Sequence, residues 1–505
     1  MRDVSARRAV VIGAGFGGIA LAIRLQRAGV QTTLIEKRDK PGGRAYVWKE
    51  QGFTFDAGPT VITDPDCLID LFEGTGRSLS DYAELLPVDP FYRLCWEDGA
   101  SFDYNDDQAA MERQIAAFNP ADVEGYNRFH AYSEELYQEG YLKLGAVPFQ
   151  SFWSMIKAAP ELARLESWNS VHAMVARYIE DPHLQQAFSF HTLLVGGDPF
   201  KTSSVYALIH ALERRGGVWF ARGGTGALIA GLVKGFEDLG GTVRLNTSVE
   251  RIETARDEQG GDVATGVTLD SGETIPADMV ASNADVVHTY DKLLGRTPRG
   301  KAKAKSLKSK RFSMSLFVLH FGTSKPQPQL AHHTICFGPR YRELISEIFS
   351  GPTLPEDFSL YLHAPCATDP SMAPEGMSSH YVLSPVPHLG AADVDWETKG
   401  PEYREKIIDY LEERYIPNLR RDLVTTRIWT PTDFKTDLNA HLGSAFSLEP
   451  ILTQSAWFRP HNRDSTIANL YLVGAGTHPG AGIPGVVGSA KATAGLMLEQ
   501  AARAL

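Results

Sequence analysis

Two kinds of apolar patterning divide the chain. In the first, short unbroken apolar runs are bounded by glycine: Ala9-Val-Val-Ile12 ends in a glycine cluster, a helical run follows from Ile19 to Ala28, Gly29 is placed to end it, and the next run stops at Glu36. Unbroken runs of this length predict strands buried on both faces, so strand, helix and strand are expected to build a parallel sheet. The pattern returns at Gly223-Gly-Thr-Gly226, which opens a predicted helix reaching Leu239, followed by a period-two strand predicted over residues 243–252 and an apolar strand ending at Val280-Ala-Ser-Asn-Ala-Asp285. It appears once more at residues 470–473, ahead of a glycine-rich loop and a helix predicted from about Gly485 to Ala504.

Between these stretches the patterning differs. Residues 107–215 carry long helical periods broken at Pro120, Pro148, Pro160 and Pro182, which predicts a helical insertion. Residues 312–454 are rich in predicted strands, at 314–321, 359–363 and 380–383, with a helix at 403–415. The expected architecture is α/β, with one discontinuous nucleotide-binding domain (residues 1–75, 216–295 and 455–505), a mixed-sheet substrate domain (76–106 and 296–454) and the helical insertion at 107–215, a membrane-facing lid in this reading.

The glycine clusters carry the chemistry. In Gly13-Ala-Gly-Phe-Gly-Gly18, Gly13 permits a tight bend, Gly15 lets backbone approach a pyrophosphate, and Gly18 lets the helix pack close, with the helix N-terminus aimed at phosphate. Glu36, at the end of the next strand, is placed to accept both hydroxyls of an adenosine ribose. Pro41-Gly-Gly-Arg44 adds a second flexible turn and a guanidinium for the diphosphate, which a nicotinamide half-site does not need, so the dinucleotide is read as FAD. The second strong signal is Val473-Gly-Ala-Gly-Thr-His-Pro-Gly-Ala-Gly-Ile-Pro-Gly485, a loop whose following helix offers partial positive charge to a reduced flavin ring.

Composition adds limits. The 505 residues, 43% of them hydrophobic, suffice for about three domains with large cores. Four cysteines, Cys67, Cys95, Cys336 and Cys366, have no metal-ligand spacing, and no metal site is expected. Arg7-Arg8 before an apolar run imitates a leader peptide, but the run holds the spaced glycines and no small-x-small cleavage site. No window reaches the ~18 uncharged apolar residues of a membrane span. A net charge of −11 disfavours nucleic acid, although Arg299, Lys301, Lys303, Lys305, Lys308, Lys310 and Arg311 form a basic segment without an intervening acid. Phe149, Phe152, Trp153 and Ile156 fall on one helical stripe, read either as core or as a membrane-facing surface.

Taken together, Pro41-Gly-Gly-Arg44, Phe55-Asp-Ala-Gly-Pro59, Ala281-Ser-Asn-Ala-Asp285 and the signature from Val473 to Leu496 resemble those of bacterial-type phytoene desaturases, in the FAD-dependent carotenoid/retinoid oxidoreductase group related to amine oxidases. The resemblance spans the whole chain. It implies a Rossmann-like FAD domain of the amine-oxidase type with a glycine doublet, and FAD contacts at Gly13, Gly15, Gly18, Glu36, Lys37, Gly43, Arg44, Gly58, Pro59, Thr60, Val249, Gly476, Thr477, Ile483, Pro484 and Val487. Where many relatives in the wider group carry Gly-Asp, this chain has Gly474-Ala-Gly-Thr477, so Thr477 and backbone amides are expected to replace a carboxylate on the ribitol.

The implied reaction is desaturation of 15-cis-phytoene, in four steps to lycopene, by hydride transfer to flavin with loss of a neighbouring proton. Other readings are a three-step desaturase, a carotene isomerase or ketolase, a flavin amine oxidase, or a lipid carrier that has lost flavin. No second nicotinamide signature is present, so quinone or oxygen is the expected electron acceptor. No catalytic acid or base is assigned, although His191, His333, His363 and His478 lie in or near apolar contexts. Phytoene dissolves in lipid, so an enzyme at the inner face of the cell membrane, peripherally bound and cytoplasmic, is expected.

Overall fold

The computed structural model describes residues 7–145, 147–148 and 152–503. At its centre lies a five-stranded parallel sheet in the order Leu470–Leu472, Met279–Ser282, Arg8–Ile12, Gln31–Ile35, Thr242–Arg244. Val10 pairs with Val280 on one side and Thr33 on the other, and Val280 pairs in turn with Leu470. Ala9, Val10 and Val11 are fully buried, as a central parallel strand covered on both faces requires. The strands come from the two ends and the middle of the chain, so the sheet closes only when the C-terminal stretch folds in.

Helix Phe16–Arg27 packs against the C-terminal helix Ile483–Arg503 and the helix Thr225–Asp238, and the three share one apolar core with the sheet. The first helix starts earlier than its apolar period suggests because Gly17 and Gly18 are helical. A Cβ on Gly18 would stand 2.0 Å from the Gly13 carbonyl oxygen, so only glycine lets this turn fold so tightly.

One predicted strand is two. Residues 243–252 split between Thr242–Arg244, in the parallel sheet, and Val249–Arg256, in an antiparallel sheet with Asp262–Leu269 and Thr274–Pro276. The break falls at Asn246, which takes a φ of 50°, and the Asn246 and Thr247 amides donate to the Arg38 and Glu36 carbonyls. Alternation of side chains runs through the bend, so periodicity alone hides it.

The strand-rich region forms a seven-stranded mixed sheet, ordered Leu423–Trp429, Ser315–Thr323, Ser378–Val386, Leu360–His363, His333–Cys336, Tyr92–Cys95, Ser101–Tyr104. Its one parallel pairing joins His333–Cys336 to Tyr92–Cys95. The helix expected at 403–415 begins at Trp396, upstream of Pro401, because the Asp395 carboxylate caps the Glu397 amide at 3.1 Å. Where described, residues 107–215 are mainly helical, with Gln108–Phe118, Asp122–Leu136, Phe152–Arg164 and Pro182–Ser189, and the helix Leu208–Gly216 closes the stretch; Pro160, expected to mark a break, lies inside Phe152–Arg164. A cleft of about 540 Å³ runs between the parallel sheet, the mixed sheet and these helices.

Candidate active site

The cleft begins at the turn after Arg8–Ile12. Gly13 has a φ of +93°, and its amide donates to the Ile35 carbonyl at 2.7 Å, which locks the two first strands together. Glu36 is only 6% exposed, with Oε2 accepting from the Ala14 amide at 2.9 Å and Oε1 from the Arg38 amide at 3.0 Å. Each oxygen keeps a further acceptor position, and Glu36 lines the cleft, so ribose hydroxyls can still be held there. The carboxylate thus shapes the turn as well as presenting an acceptor.

The second glycine turn folds back onto the first. Gly42, with a φ of +124°, donates its amide to the Ala14 carbonyl at 2.7 Å, and a Cβ on Gly43 would meet the Gly15 Cα at 3.4 Å. Gly13, Gly15, Lys37, Gly43, Arg44, Gly58, Pro59, Thr60, Val249, Ile483 and Pro484 all line the cleft. Two of them are partly committed elsewhere. Lys37 Nζ donates to the Thr436 carbonyl and Asn439 Oδ1, and Arg44 donates from Nε to the Ala445 carbonyl at 2.5 Å, tying the nucleotide turns to the loop after the mixed sheet.

Gly18, Gly476, Thr477 and Val487 do not line the cleft. Gly18 and Gly476 are glycines for packing: a Cβ on Gly476 would meet Val286 Cγ1 at 2.4 Å. Val487 is buried in the core of the parallel sheet. Thr477 is 0% exposed and faces inward, with its hydroxyl donating to the Gly474 carbonyl at 2.9 Å and lying 2.8 Å from Ser489 Oγ. The expectation that Thr477 substitutes for a ribitol carboxylate is therefore not met by its side chain.

Asn283 and Asp285 supply what that expectation lacked. Both line the cleft from the end of the strand Met279–Ser282. Asn283 Nδ2 donates to the Gly13 carbonyl, and its side chain would collide with a Cβ at Gly17 (2.9 Å) or Gly474 (2.4 Å), so it fits between the N-terminal and C-terminal glycine turns. Asp285 caps the next helix through Oδ1, while its buried Oδ2 has no hydrogen-bond partner. An orphaned carboxylate oxygen beside the glycine turns fits a hydroxyl-bearing ligand. The motif was legible in the sequence; its position against both turns was not.

Farther along the cleft, polar groups form a buried chain. Thr60 Oγ1 lies 2.6 Å from the Tyr381 hydroxyl and 3.1 Å from that of Tyr361, and Tyr361 reaches His333 Nδ1 at 2.7 Å. His332, His333 and His363 gather so that their ligand-capable nitrogens all lie within 4.8 Å of one another, a cluster the sequence did not announce. Burial holds all three imidazoles far below their ordinary range, so they are neutral. His478 Nε2 donates to the Leu144 carbonyl at 3.0 Å, and burial lowers the imidazole pKa to about 4. His191 Nε2 stands 3.1 Å from Oε2 of Glu213, an acid that no motif in the sequence marks. The remaining wall is apolar, with Phe190, Leu193, Leu212, Phe337 and Leu383 among its residues.

Residues 16–498 match the model for flavin containing amine oxidoreductase. A lycopene-forming phytoene desaturase from a Paracoccus species is 66% identical over 99% of both chains, and one from Pseudescherichia vulneris is 65% identical over 98% of this chain and 99% of its own. The chain belongs to the flavin-containing amine oxidoreductases, among the phytoene desaturases. An oxidoreductase structure from Methanosarcina mazei shares the fold, with a TM-score of 0.63 at 16% identity, over 96% of this chain and 98% of that one.

The cofactor is FAD, and the residues present fit it: two interlocked glycine turns where a Cβ would intrude, the Glu36 carboxylate at one end, the orphaned Asp285 oxygen, and the N-terminus of helix Ile483–Arg503 at the other.

Proposed function

We propose that the chain desaturates 15-cis-phytoene in four steps to lycopene, working from a membrane surface and passing electrons to quinone or oxygen. The observation that carries this reading is the continuity of the cleft: one space connects the Glu36 end, through the glycine turns, to a wall of phenylalanine and leucine. A C40 hydrocarbon offers no polar handle, so such a wall can guide it only by shape, and orientation is the main thing the protein supplies. When bound, FAD provides the two-electron acceptor for the hydride. The names of the 66% and 65% identical relatives support lycopene as product.

Membrane docking is supported by the surface around the cleft. Trp153 is 71% exposed on the helix Phe152–Arg164, which also contributes Leu162 to the cleft, and exposed Leu142 and Val147 flank the cleft residue Leu144. Phe149 lies outside the described residues. Among the described residues, no helix is long and apolar enough to cross a membrane. The basic segment is less free than the sequence implies, because Arg299, Lys308 and Arg311 pair with Asp262, Asp291 and Glu449. Lys301, Lys303 and Lys305 remain exposed, and Lys310 reaches the Phe458 carbonyl in the turn against which the Trp153 helix packs.

The test is product analysis with purified holoprotein and phytoene-loaded vesicles, under anaerobic conditions, with quinone, NAD or NADP added in turn. Lycopene with quinone but not with NAD or NADP is expected. Colourless product, or turnover of soluble amines instead, defeats the reading.

A further inference from the structure

Each desaturation releases a proton, and the structure offers one buried group placed to take it. Helix Leu208–Gly216 turns Leu208, Ile209, Leu212 and Glu213 toward the cleft. Glu213 is 0% exposed. Its Oε1 accepts from the Tyr92 hydroxyl at 2.8 Å, while Oε2 makes no hydrogen bond of good geometry and stands 3.1 Å from His191 Nε2. A carboxylate held out of water among leucines and phenylalanines is costly unless its acceptor capacity is used. Structural need accounts for one oxygen only.

Glu213 also lies at the working part of the cleft. The end of its helix packs on the turn after Thr60, for a Cβ at Gly216 would stand 2.6 Å from the Thr63 carbonyl oxygen, and Thr63 lines the cleft. Tyr92, its hydrogen-bond donor, packs its ring 5.7 Å from that of His333, which links to Tyr361 and Thr60. The groups facing Glu213 and its partner from neighbouring elements are Tyr92, Tyr104, His191, His210 and Arg214. Tyr104 bonds His210 Nδ1, and its ring lies 5.2 Å from that of His191. Arg214 turns away to the Asn105 carbonyl and Gln108 Oε1.

We infer that Glu213 is the general base of the desaturation, with His191 as its proton outlet. The inference rests on the desaturase reading above. At one allylic carbon the C–H bond breaks and the hydrogen departs with both electrons, for which FAD, when bound, would be the acceptor. At the adjacent carbon the C–H bond breaks, its electrons form the new C=C bond, and the proton forms an O–H bond on Glu213 Oε2. From there it passes to His191 Nε2, which restores the carboxylate. Tyr92 fixes the carboxylate's orientation through its hydrogen bond, and hydrogen bonds are in general stronger to a carboxylate than to a carboxylic acid.

Glu213→Gln keeps the shape and the Tyr92 hydrogen bond while removing the basic oxygen. It should retain flavin absorbance and retain radiolabelled phytoene as the parent does, and lose ~10²-fold or more in turnover, the range that a positioned base contributes. Infrared titration of the holoprotein, without turnover, should show a carboxylic acid C=O band that is absent from the Glu213→Gln protein and whose midpoint moves in His191→Gln. Tyr92→Phe should move the acidic limb of the turnover profile to higher pH, and it serves as the test should Glu213→Gln fail to fold. Turnover of Glu213→Gln within threefold of the parent, loss of flavin or phytoene binding in step with turnover, or an unmoved Tyr92→Phe profile overturns the inference. A parent protein that makes no lycopene sinks the desaturase reading instead, and the two failures cannot be confused.

Discussion

Arg459 donates Nε to the Thr477 carbonyl at 3.0 Å, in the middle of the glycine-rich C-terminal turn. The same guanidinium donates from Nη2 to the Ala475 and Leu448 carbonyls and from Nη1 to that of Gln454, and no salt bridge is formed by it among the described residues. Burial lowers its pKa below the ordinary arginine range. A planar fork is what lets one buried cation satisfy several carbonyls, and it sets the path of a loop that glycine alone would leave mobile.

Arg459→Met should therefore orphan these carbonyls together. A loss of ~3 kcal/mol or more is expected, since each unsatisfied buried acceptor costs ~1–3 kcal/mol. Flavin content should fall with it. Arg459→Lys, which lacks the fork, should recover only part of either. Urea unfolding and the flavin-to-protein absorbance ratio measure both, and parental values for Arg459→Met would show that the loop is held by other contacts.

Glu36→Ala should do two things, because its oxygens hold the Ala14 and Arg38 amides as well as facing the cleft. Loss of charge-assisted hydrogen bonds worth ~1.5–3 kcal/mol each should strip FAD on dialysis, and the cofactor-free protein should also melt earlier than cofactor-free parent. An unchanged melting temperature of the two cofactor-free proteins would separate the ligand role from the turn-closing one.

Acid should destabilise the fold above the pH at which ordinary exposed carboxylates protonate. Burial lowers His320, His332 and His380 from 6.5 to about 3, with His210, His333 and His363 shifted the same way. The unfolded chain then binds more protons than the folded one between about 3 and 6.5, so stability present above 6.5 is lost as pH falls, by ~1.4 kcal/mol per pH unit for each such histidine. Asp56, raised to about 6 by burial, acts in the opposite direction over part of this range, because its folded form keeps a proton. The histidines outnumber it. Urea midpoints should drop steeply from pH 6.5 toward pH 4, and a flat profile would mean that the imidazoles gain solvent or partners in solution.

Vesicle binding should be mainly apolar. Trp153→Ser and Phe458→Ser together should cut sedimentation with vesicles while bound FAD stays constant, since both side chains are exposed and neither lines the cleft. Changing Lys301, Lys303 and Lys305 to Gln should lower only the salt-sensitive part, which fades as the Debye length shrinks from ~10 Å at 0.1 M to ~3 Å at 1 M salt. Full binding by the double variant would place the docking surface elsewhere.

The amino-acid sequence by itself determined the nucleotide end of the site. Gly13, Gly42 and Gly474 take positive φ, a demand that a short stretch of backbone makes on one residue type, and the apolar runs around them are long enough to mark buried strands. It also determined that one strand of the nucleotide sheet would arrive from the C-terminus, because the pattern recurs there. The break at Asn246 was hidden, since alternation continues through a bend that the distant Arg38 and Glu36 carbonyls hold. Tertiary structure alone decided the rest of the site. Thr477 looked like a ligand and turned inward, because Gly474 and Ser489 offered it partners at hydrogen-bond distance. Glu213, next to Arg214 and Arg215, reads as part of a solvated helix face, yet the helix docks so that this acid meets Tyr92 and His191 from distant strands and helices. Local geometry is written in residue type and spacing; which buried polar group meets which depends on how whole elements pack, and that is a property of the assembled chain.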